Sequence, residues 1–260
     1  MTDVNEKIRK PAVVDGPKVQ GSLPLYAEPR AVHSITHAEV GILPAPVDFG
    51  FAAKSPLVPL TVDEFTRAGL DYPILFFGAD RQPYAVAGLE EARNLFITEG
   101  AYRAGAYIPA YLRRYPFVFA RDEDSADRLI LCIDHASDRV TVAGAEGALP
   151  LFDGNEPTAL TRQALEFCEA YEAAGARTRL LLDLLDEHGL LVGRQAHYTA
   201  PGAAEPTLLL DYLTIDADRL AALDDAAFLR LRTAGALPAI YAQIASQALW
   251  EALPLLGSNS

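Results

Sequence analysis

The chain has 260 residues, of which 50% are hydrophobic and 22% are charged, and its formal net charge is −13. Length and composition are typical of a globular protein with enough apolar surface for a core. Because phosphate binding needs clustered Lys and Arg, the acidic excess argues against nucleic-acid binding and against docking on an anionic membrane surface.

The N-terminal sequence has no apolar segment of signal-peptide length, and no window approaches 18 uncharged apolar residues. Cys132 and Cys168 each lie in an apolar segment. Free buried thiols are the default interpretation and fit a reducing compartment, while a Cys132–Cys168 disulfide stays open. We therefore expect a cytoplasmic protein without a membrane span, with export by another signal as the open alternative.

The first 60 residues are poor in regular structure signals. Residues 1–22 are polar with scattered Pro and Gly, which predicts a flexible N-terminal arm ahead of a single domain over 23–260. Residues 23–60 are rich in proline, which fixes φ and removes a hydrogen-bond donor. We expect extended, irregular chain here, with short strands such as "AEVGIL" (38–43).

Short β-rich runs separated by Gly, Asp and Asn follow between residues 72 and 142. They are "YPILFF", "PYAVAGL", "RNLFI", "YPFVFA", "RLILCI" and "RVTV". The connections are too short for helical crossovers, except near 104–114. Hairpins and a largely antiparallel sheet are therefore predicted.

Helical periodicity begins after residue 157. One stripe has the 4,3 spacing of a long helix that starts near Pro157 and ends before Gly189, and Gly175 is a candidate kink or division. Its members are Leu160, Ala164, Phe167, Tyr171, Ala174, Thr178, Leu181 and Leu185.

A strand, "TLLLDYLTI" (207–215), and short helices over 217–234 come next. Leu237, Tyr241, Ile244 and Ala248 mark the last helix, with Pro238 near its start. Strands followed by helices predict an α+β fold, in which a C-terminal helical part packs on the sheet from 72–142.

Two segments of the sequence resemble each other. "DEFTRAGLDYPILF" (63–76) aligns without gaps on "AYIPAYLRRYPFVF" (106–119), and both read as helix, Tyr-Pro step, strand, loop and strand. A residue before proline is disfavoured in the α region, so Tyr72 and Tyr115 should end a helix and begin a strand. The hypothesis is a duplicated unit with pseudo-twofold placement in one sheet, against chance similarity as the alternative.

The second copy carries the residues most suited to a partner or ligand contact. Tyr and Arg are favoured at interface anchors, and this segment has Tyr107, Tyr111, Arg113 and Arg114 where the first has Glu64, Ala68, Leu70 and Asp71. The alternative is scaffold, with a tyrosine stripe packed on the sheet and the arginines paired with the acidic loop 121–127.

Histidine and aspartate provide the only candidate chemistry. His33 and His37 have the spacing of two ligands on one helical face, but no third ligand is nearby, so ordinary loop histidines are favoured over a metal site. Asp134 and His135 could form a base and its orienting group, whereas a turn capped by Asp134 or Asp138 is the alternative. No nucleotide, dinucleotide, zinc-protease or serine-hydrolase motif occurs, and no cofactor is expected.

Several blocks in order along the chain, from about Pro24 to Leu253, resemble the bacterial SapC family. They are "YPILFF", "RNLFI", "GAYIPAYLRRYPFVFA", "LCID", "LFDGNEPT", "GLLVGRQA" and "LPAIYAQIAS". The family more often has Trp at the position of Ala236. Its name implies a link to a bacterial surface layer. The resemblance also implies an association with TonB-dependent receptors, tryptophan-halogenase-like flavoproteins and cupin-type oxygenases. A "permease" label that some members carry does not fit this sequence, and the resemblance transfers no catalytic residues.

The leading hypothesis is an accessory protein without catalysis of its own, in a surface-layer or TonB-dependent outer-membrane uptake pathway. It would bind a protein partner or a small ligand, and it could form a homodimer. One alternative is a metal-dependent or partner-dependent modifying enzyme that uses His and Asp residues. Another is a structural surface-layer component.

Overall fold

The computed structural model of the chain describes residues 19–20, 23–44, 48–122, 128–199 and 204–257. Helices and strands form an α+β fold in which each ladder of paired strands is antiparallel. The predicted fold class is confirmed.

The strands and helices are numbered in chain order. The strands are β1 (Val19–Gln20), β2 (Pro29–Ala31), β3 (Val40–Ile42), β4 (Leu57–Pro59), β5 (Ile74–Phe77), β6 (Gln82–Val86), β7 (Ile97–Thr98), β8 (Ala101–Tyr102), β9 (Phe117–Asp122), β10 (Leu129–Asp134), β11 (Val140–Val142), β12 (Leu149–Pro150), β13 (Phe152–Asp153), β14 (Glu156–Pro157), β15 (Leu191–Tyr198) and β16 (Thr207–Ile215). The α-helices are α1 (Phe65–Ala68), α2 (Ala110–Arg113), α3 (Ala159–Glu187), α4 (Ala217–Ala221), α5 (Asp225–Thr233), α6 (Leu237–Ser246) and α7 (Leu253–Gly257).

The chain divides into two compact units, and each is built from two separate stretches. Unit 1 comprises Met1–Asp48 and Arg114–Ala170, and unit 2 comprises Phe49–Arg113 and Tyr171–Ser260. Of the predicted arm over 1–22, Val19 and Gln20 are described and form β1, while the other residues lie outside the described part. The single domain over 23–260 stays a prediction.

Unit 1 has a four-stranded sheet in the order β1-β9-β10-β2, a three-stranded sheet in the order β11-β3-β12 and the ribbon β13-β14. Strand β9 is buried on both faces, since alternate residues point to opposite sides of a strand. Phe117 and Phe119 join a cluster with Cys168, whereas Val118 and Ala120 join another with Cys132. Both cysteines are buried and neither forms a disulfide, and burial raises the pKa of the Cys132 thiol to about 12.

Unit 2 has a five-stranded sheet in the order β15-β16-β5-β6-β4 and the ribbon β7-β8. Its core contains large side chains that are fully buried. They are Leu60, Phe65, Tyr72, Ile74, Leu75, Phe76, Leu185 and Leu190.

Helix α6 completes this sheet through two buried polar side chains. Strands β5 and β16 pair only at Phe76 and Leu213, so neighbouring backbone groups need other partners. The Gln243 amide donates to the carbonyl of Ile74 at 2.8 Å and accepts from the amide of Ile215 at 3.1 Å. The Ser246 hydroxyl accepts from the Ile74 amide at 3.0 Å.

Helix α3 confirms the predicted long helix. None of the eight residues of its stripe is exposed, and Gly175 does not divide it. Gly189 follows with φ of +60°, which favours glycine, and the amide of Leu190 donates to the carbonyl of Leu185. The predicted strand 207–215 coincides with β16.

Other predictions need correction. The strands between 72 and 142 belong to four sheets rather than one, and "RNLFI" contributes only Ile97 to a strand. Strand β15 was not predicted. The buried face of α6 carries Ala239, Ile240, Gln243 and Ser246, whereas Tyr241 of the predicted stripe is 51% exposed.

The two similar segments share a plan but lie in different sheets. Strands β5 and β9 begin at the aligned residues Ile74 and Phe117. Helices α1 and α2 are out of register, because Phe65 aligns with Ile108 whereas α2 begins at Ala110. The hairpins β5-β6 and β9-β10 belong to separate sheets, so the placement in one sheet is wrong, and the duplication itself stays a prediction.

Candidate functional site

The four residues predicted as contacts have different environments. Tyr111 and Arg114 are only 5% and 7% exposed, whereas Arg113 is exposed and Tyr107 is half-buried. Tyr111 packs with its ring 6.2 Å from that of Tyr171 in unit 2. The Arg114 guanidinium lies 5.7 Å from the ring of Tyr26 in unit 1. Of the four, Tyr107 and Arg113 have surface available for a partner.

Tyr107 and Arg113 touch each other and are anchored to their surroundings. The Arg113 guanidinium lies 5.7 Å from the Tyr107 ring and donates to the Tyr107 hydroxyl at 3.2 Å. The Tyr107 hydroxyl donates to Oε1 of Glu64 at 3.1 Å, and burial beside that carboxylate raises the pKa of Tyr107. Residues 123–127 of the acidic loop that was expected to pair with Arg113 and Arg114 lie outside the described residues.

Glu64 shows that this segment is firmly held. Its buried carboxylate accepts from the amide of Ala110 at 2.6 Å and from the amide and hydroxyl of Thr61 at 2.8 and 2.9 Å. The backbone of Tyr107 is held as well: its amide donates to Asp71, and its carbonyl accepts from the hydroxyl of Tyr72. The 106–113 segment is therefore held in place by hydrogen bonds within unit 2, and its role as a contact stays a prediction.

A buried histidine pair lies in unit 1. The Nε2 atoms of His37 and His135 are 3.0 Å apart, and the two residues are 1% and 4% exposed. Nδ1 of His37 accepts from the amide of His33 at 3.3 Å. In the neutral ring, Nε2 of His37 then carries the proton and donates to His135. Burial, followed by the nearby His135, lowers the pKa of His37 to about 4.

Asp134 is fully buried, and its carboxylate accepts several hydrogen bonds. Its carboxylate accepts from the amides of Ala27 at 3.0 Å, Glu28 at 2.8 Å and Ala136 at 3.0 Å. The Tyr115 hydroxyl donates to it at 3.3 Å. This confirms the turn-capping interpretation of Asp134. Three or more His, Cys, Asp or Glu side chains do not converge as metal ligands anywhere in the described ranges.

A groove of about 670 Å³ lies in unit 2 along the C-terminal part of α3, and we call it the α3 groove. The chain from Val62 to Thr66 and the turn from α5 into α6 also line it. Most of the lining residues are apolar or small. They are Val62, Leu180, Leu181, Leu184, Ala234, Gly235, Ala236, Pro238 and Ala239. Leu180 is 64% exposed, so apolar surface is available to a partner.

Acidic residues outnumber basic ones along the α3 groove. Asp63, Asp183 and Glu187 line it, against Arg177 alone. The Arg177 guanidinium pairs with the Asp63 carboxylate through contacts of 3.1 and 2.5 Å, and Glu187 pairs with Arg230 at 2.7 Å. Among the described residues that line it, none is His, Cys, Ser or Tyr. The groove therefore suits binding of a group that is both apolar and basic.

A comparison with protein families shows which family the chain belongs to. A family model described as SapC matches residues 32–253. The chain belongs to the SapC family. The matched range of this SapC chain includes each segment of the α3 groove and the histidine pair. No curated protein and no solved structure is detectably similar to it. Within the described ranges, no helix is long and apolar enough to cross a membrane.

The α3 groove was not predicted, because its walls come from three distant stretches of the SapC chain. Two signals point toward it in the sequence. Leu180 lies off the stripe that packs α3 on the core, and residues 234–239 form a run of small residues and proline around Leu237. Ala236 is one of the residues that line the groove.

Proposed function

We propose that this SapC-family protein is a non-enzymatic accessory protein that binds a basic, amphipathic helix of a partner protein in the α3 groove. The single observation behind the proposal is the groove itself, which combines apolar walls with an acidic rim. The proposed setting is a bacterial surface-layer or TonB-dependent outer-membrane uptake pathway, and it rests on the family resemblance.

The size of the groove supports a helical occupant. The lining residues of α3 run from Arg177 to Glu187, which corresponds to about 15 Å of helix, or roughly three turns. Partner helices commonly bind in grooves with apolar side chains at i, i+3, i+4 and i+7. The small residues at 234–236 and Ala239 allow a partner's backbone to approach closely.

The charge of the groove supports a basic occupant. Asp183 carries a carboxylate on the rim for which the described residues provide no salt bridge, whereas Asp63 and Glu187 are already paired. Opposite charges steer encounters and help to fix the orientation of a bound segment. Lys or Arg on the polar face of the bound helix would meet this rim.

Fluorescence anisotropy with two labelled synthetic helices tests the proposal. One peptide has leucines at helical spacing with lysines elsewhere, and the other has glutamates in place of the lysines. We expect the lysine peptide to bind in a salt-dependent manner and the glutamate peptide not to bind. Leu180→Asn removes an exposed apolar side chain and Ala234→Trp fills the groove, and each should weaken binding about tenfold, or roughly 1.4 kcal/mol.

Leu165→Asn is the matched control, because Leu165 is an exposed leucine of the same helix outside the groove, with 39% exposure. It should bind the lysine peptide as the parent protein does. Equal effects of the control and the two groove variants would contradict the proposal. In the native host, a photo-cross-linking residue at position 180 should capture a protein that the same residue at position 165 does not.

Tyr107 and Arg113 stay a predicted second contact. Arg113→Glu removes the guanidinium that lies over Tyr107, and it leaves the α3 groove unchanged. If Arg113→Glu abolishes the cross-link at position 180, the Tyr107–Arg113 surface and the α3 groove belong to one binding site. If the cross-link is unchanged, they are separate.

A further inference from the structure

Helix α5 presents an unusual outward face. Asp225, Phe228, Leu229 and Arg232 have the i, i+3, i+4, i+7 spacing of one helical face, and together they border the same shallow depression of about 540 Å³ in unit 2. The centre of the face is apolar and its two ends carry opposite charges. Leu229 is 47% exposed, which is a large apolar exposure for a residue in the middle of a helix.

Neighbouring helices extend this apolar surface. The depression is also lined by Tyr241 and Ile244 of α6 and by Leu220 of α4 and Leu223. Tyr241 is 51% exposed. Leucine, phenylalanine and tyrosine contribute area, and the rim carries charge, which is the anatomy of a protein–protein interface. We call this surface the α5 face.

We propose that the α5 face binds the α5 face of a second copy of this chain, with the two α5 helices antiparallel across a twofold axis. In a twofold interface each residue i meets residue j while j meets i. Asp225 and Arg232 are equidistant from the midpoint between Phe228 and Leu229. An antiparallel pair centred there therefore places Asp225 of each copy opposite Arg232 of the other and joins the apolar centres.

Charge complementarity selects the second copy over other occupants. The face carries one acid at one end and one base at the other, so it matches itself after a half-turn, whereas a uniformly basic or acidic segment would meet one like charge. Within the described residues, no salt bridge occupies Asp225 or Arg232. The α5 face shares no lining residue with the α3 groove, so the dimer does not rest on the proposed function.

Mass measurements on the full chain test the dimer. Sedimentation equilibrium or light scattering at high micromolar concentration should give twice the mass of the chain. Leu229→Glu places two carboxylates in the apolar centre and should give a monomer. Ala226→Glu is the matched control, because Ala226 is exposed on α5 but lies off this face, and the variant should stay dimeric.

Charge exchange tests the antiparallel arrangement. Asp225→Arg or Arg232→Asp alone places like charges opposite each other at two symmetric positions, and each should raise the dissociation constant by about tenfold or more. The double variant restores opposite charges and should recover most of the lost affinity. Thermal unfolding of every variant establishes that it is folded.

Four outcomes would overturn the proposal. They are a monomeric parent protein, a larger closed ring, a dimer that Leu229→Glu leaves intact, and a double exchange no better than either single variant. Binding of the lysine or glutamate peptide to the α5 face of a monomeric chain would assign the face to another protein instead.

Discussion

Asp134 and Glu64 illustrate what buried carboxylates do in this protein. Each accepts three or more hydrogen bonds, and most of the donors are backbone amides. A buried amide without a partner destabilises a fold, so a carboxylate that satisfies several of them stabilises turns that lack a ladder partner. Asp134 therefore satisfies backbone amides from two stretches of unit 1, around Ala27 and at Ala136.

The histidine pair predicts how stability depends on pH. The folded state favours the neutral form of His37, since its pKa is lowered from the ordinary 6.5 to about 4. Between these values the unfolded chain binds a proton that the folded chain does not. Stability should therefore decrease as pH falls from 6.5 to 4, by about 3 kcal/mol, and this loss should level off at lower pH. Denaturant unfolding at a series of pH values measures it.

A variant separates this effect from the titration of carboxylates in the same range. His37→Gln keeps a hydrogen-bonding group near His135 but has no proton to bind in this window. Its stability should depend less steeply on pH than that of the parent protein. The charged groups near His37 are His135, His33 and Arg30, and all remain in the variant. Parallel profiles for the two proteins would refute this explanation.

Sequence predicted the local role of Asp134 but not the contact of the histidines. A carboxylate in "CIDHASDR" is expected to cap a turn, and the amide of Ala136 two residues later is such a donor, whereas the amides of Ala27 and Glu28 come from a distant stretch that the sequence did not indicate. His37 and His135 are 98 residues apart, and their pairing depends on how β3 and β10 are placed in unit 1. Periodicity carries no information about such a distance. Tyr111 and Arg114 show the same limit, since the sequence did not indicate that both side chains are buried, and their role as contacts stays a prediction.

At the scale of elements, α6 acts as part of the five-stranded sheet. Gln243 reaches β5 and β16 where they do not pair, and its amide also donates to the Thr214 hydroxyl at 2.8 Å. The buried face of α6 is partly polar, since it includes Gln243 and Ser246. Apolar periodicity therefore predicted the exposed Tyr241 as a buried residue of this helix. Helix α3 was predicted correctly for the converse reason: its buried face is mostly apolar, and its ends carry the usual proline and glycine.

Gln243→Leu tests this role of α6. Leucine fills a similar volume, but it leaves the buried amide of Ile215 and the hydroxyl of Thr214 without this partner, while Gln247 still donates to the carbonyl of Ile74. We expect a loss of about 2–4 kcal/mol of unfolding free energy, measured in denaturant. Gln195→Leu on the exposed part of β15 is the control and should change stability by about 0.5 kcal/mol or less. A similar loss for both variants would mean that Gln243 has no special role.

At the scale of the whole molecule, the sheets interleave strands from distant stretches of chain. In unit 1, the outer strands β1 and β2 precede residue 49, whereas the inner strands β9 and β10 follow residue 113. The three-stranded sheet reverses this order, with β3 between β11 and β12. In unit 2, β4, β5 and β6 come from one stretch, and β15 and β16 come from the other. Neither unit corresponds to one continuous piece of sequence.

This arrangement predicts the behaviour of fragments cut between Arg113 and Arg114, where the chain passes from unit 2 to unit 1. The fragments 1–113 and 114–260 each contain one of the two stretches of each unit, so each lacks strands that complete every large sheet. We expect neither fragment alone to show a cooperative thermal transition, because unpaired strand edges and half-cores leave too little burial to offset chain entropy. Refolding the two together at equal concentration should restore the far-ultraviolet circular dichroism and the transition of the intact chain, while each fragment refolded alone is the control. Cooperative unfolding of 114–260 by itself would show that interleaving does not govern the stability of the fold, since that fragment lacks β2, β3, β4, β5 and β6.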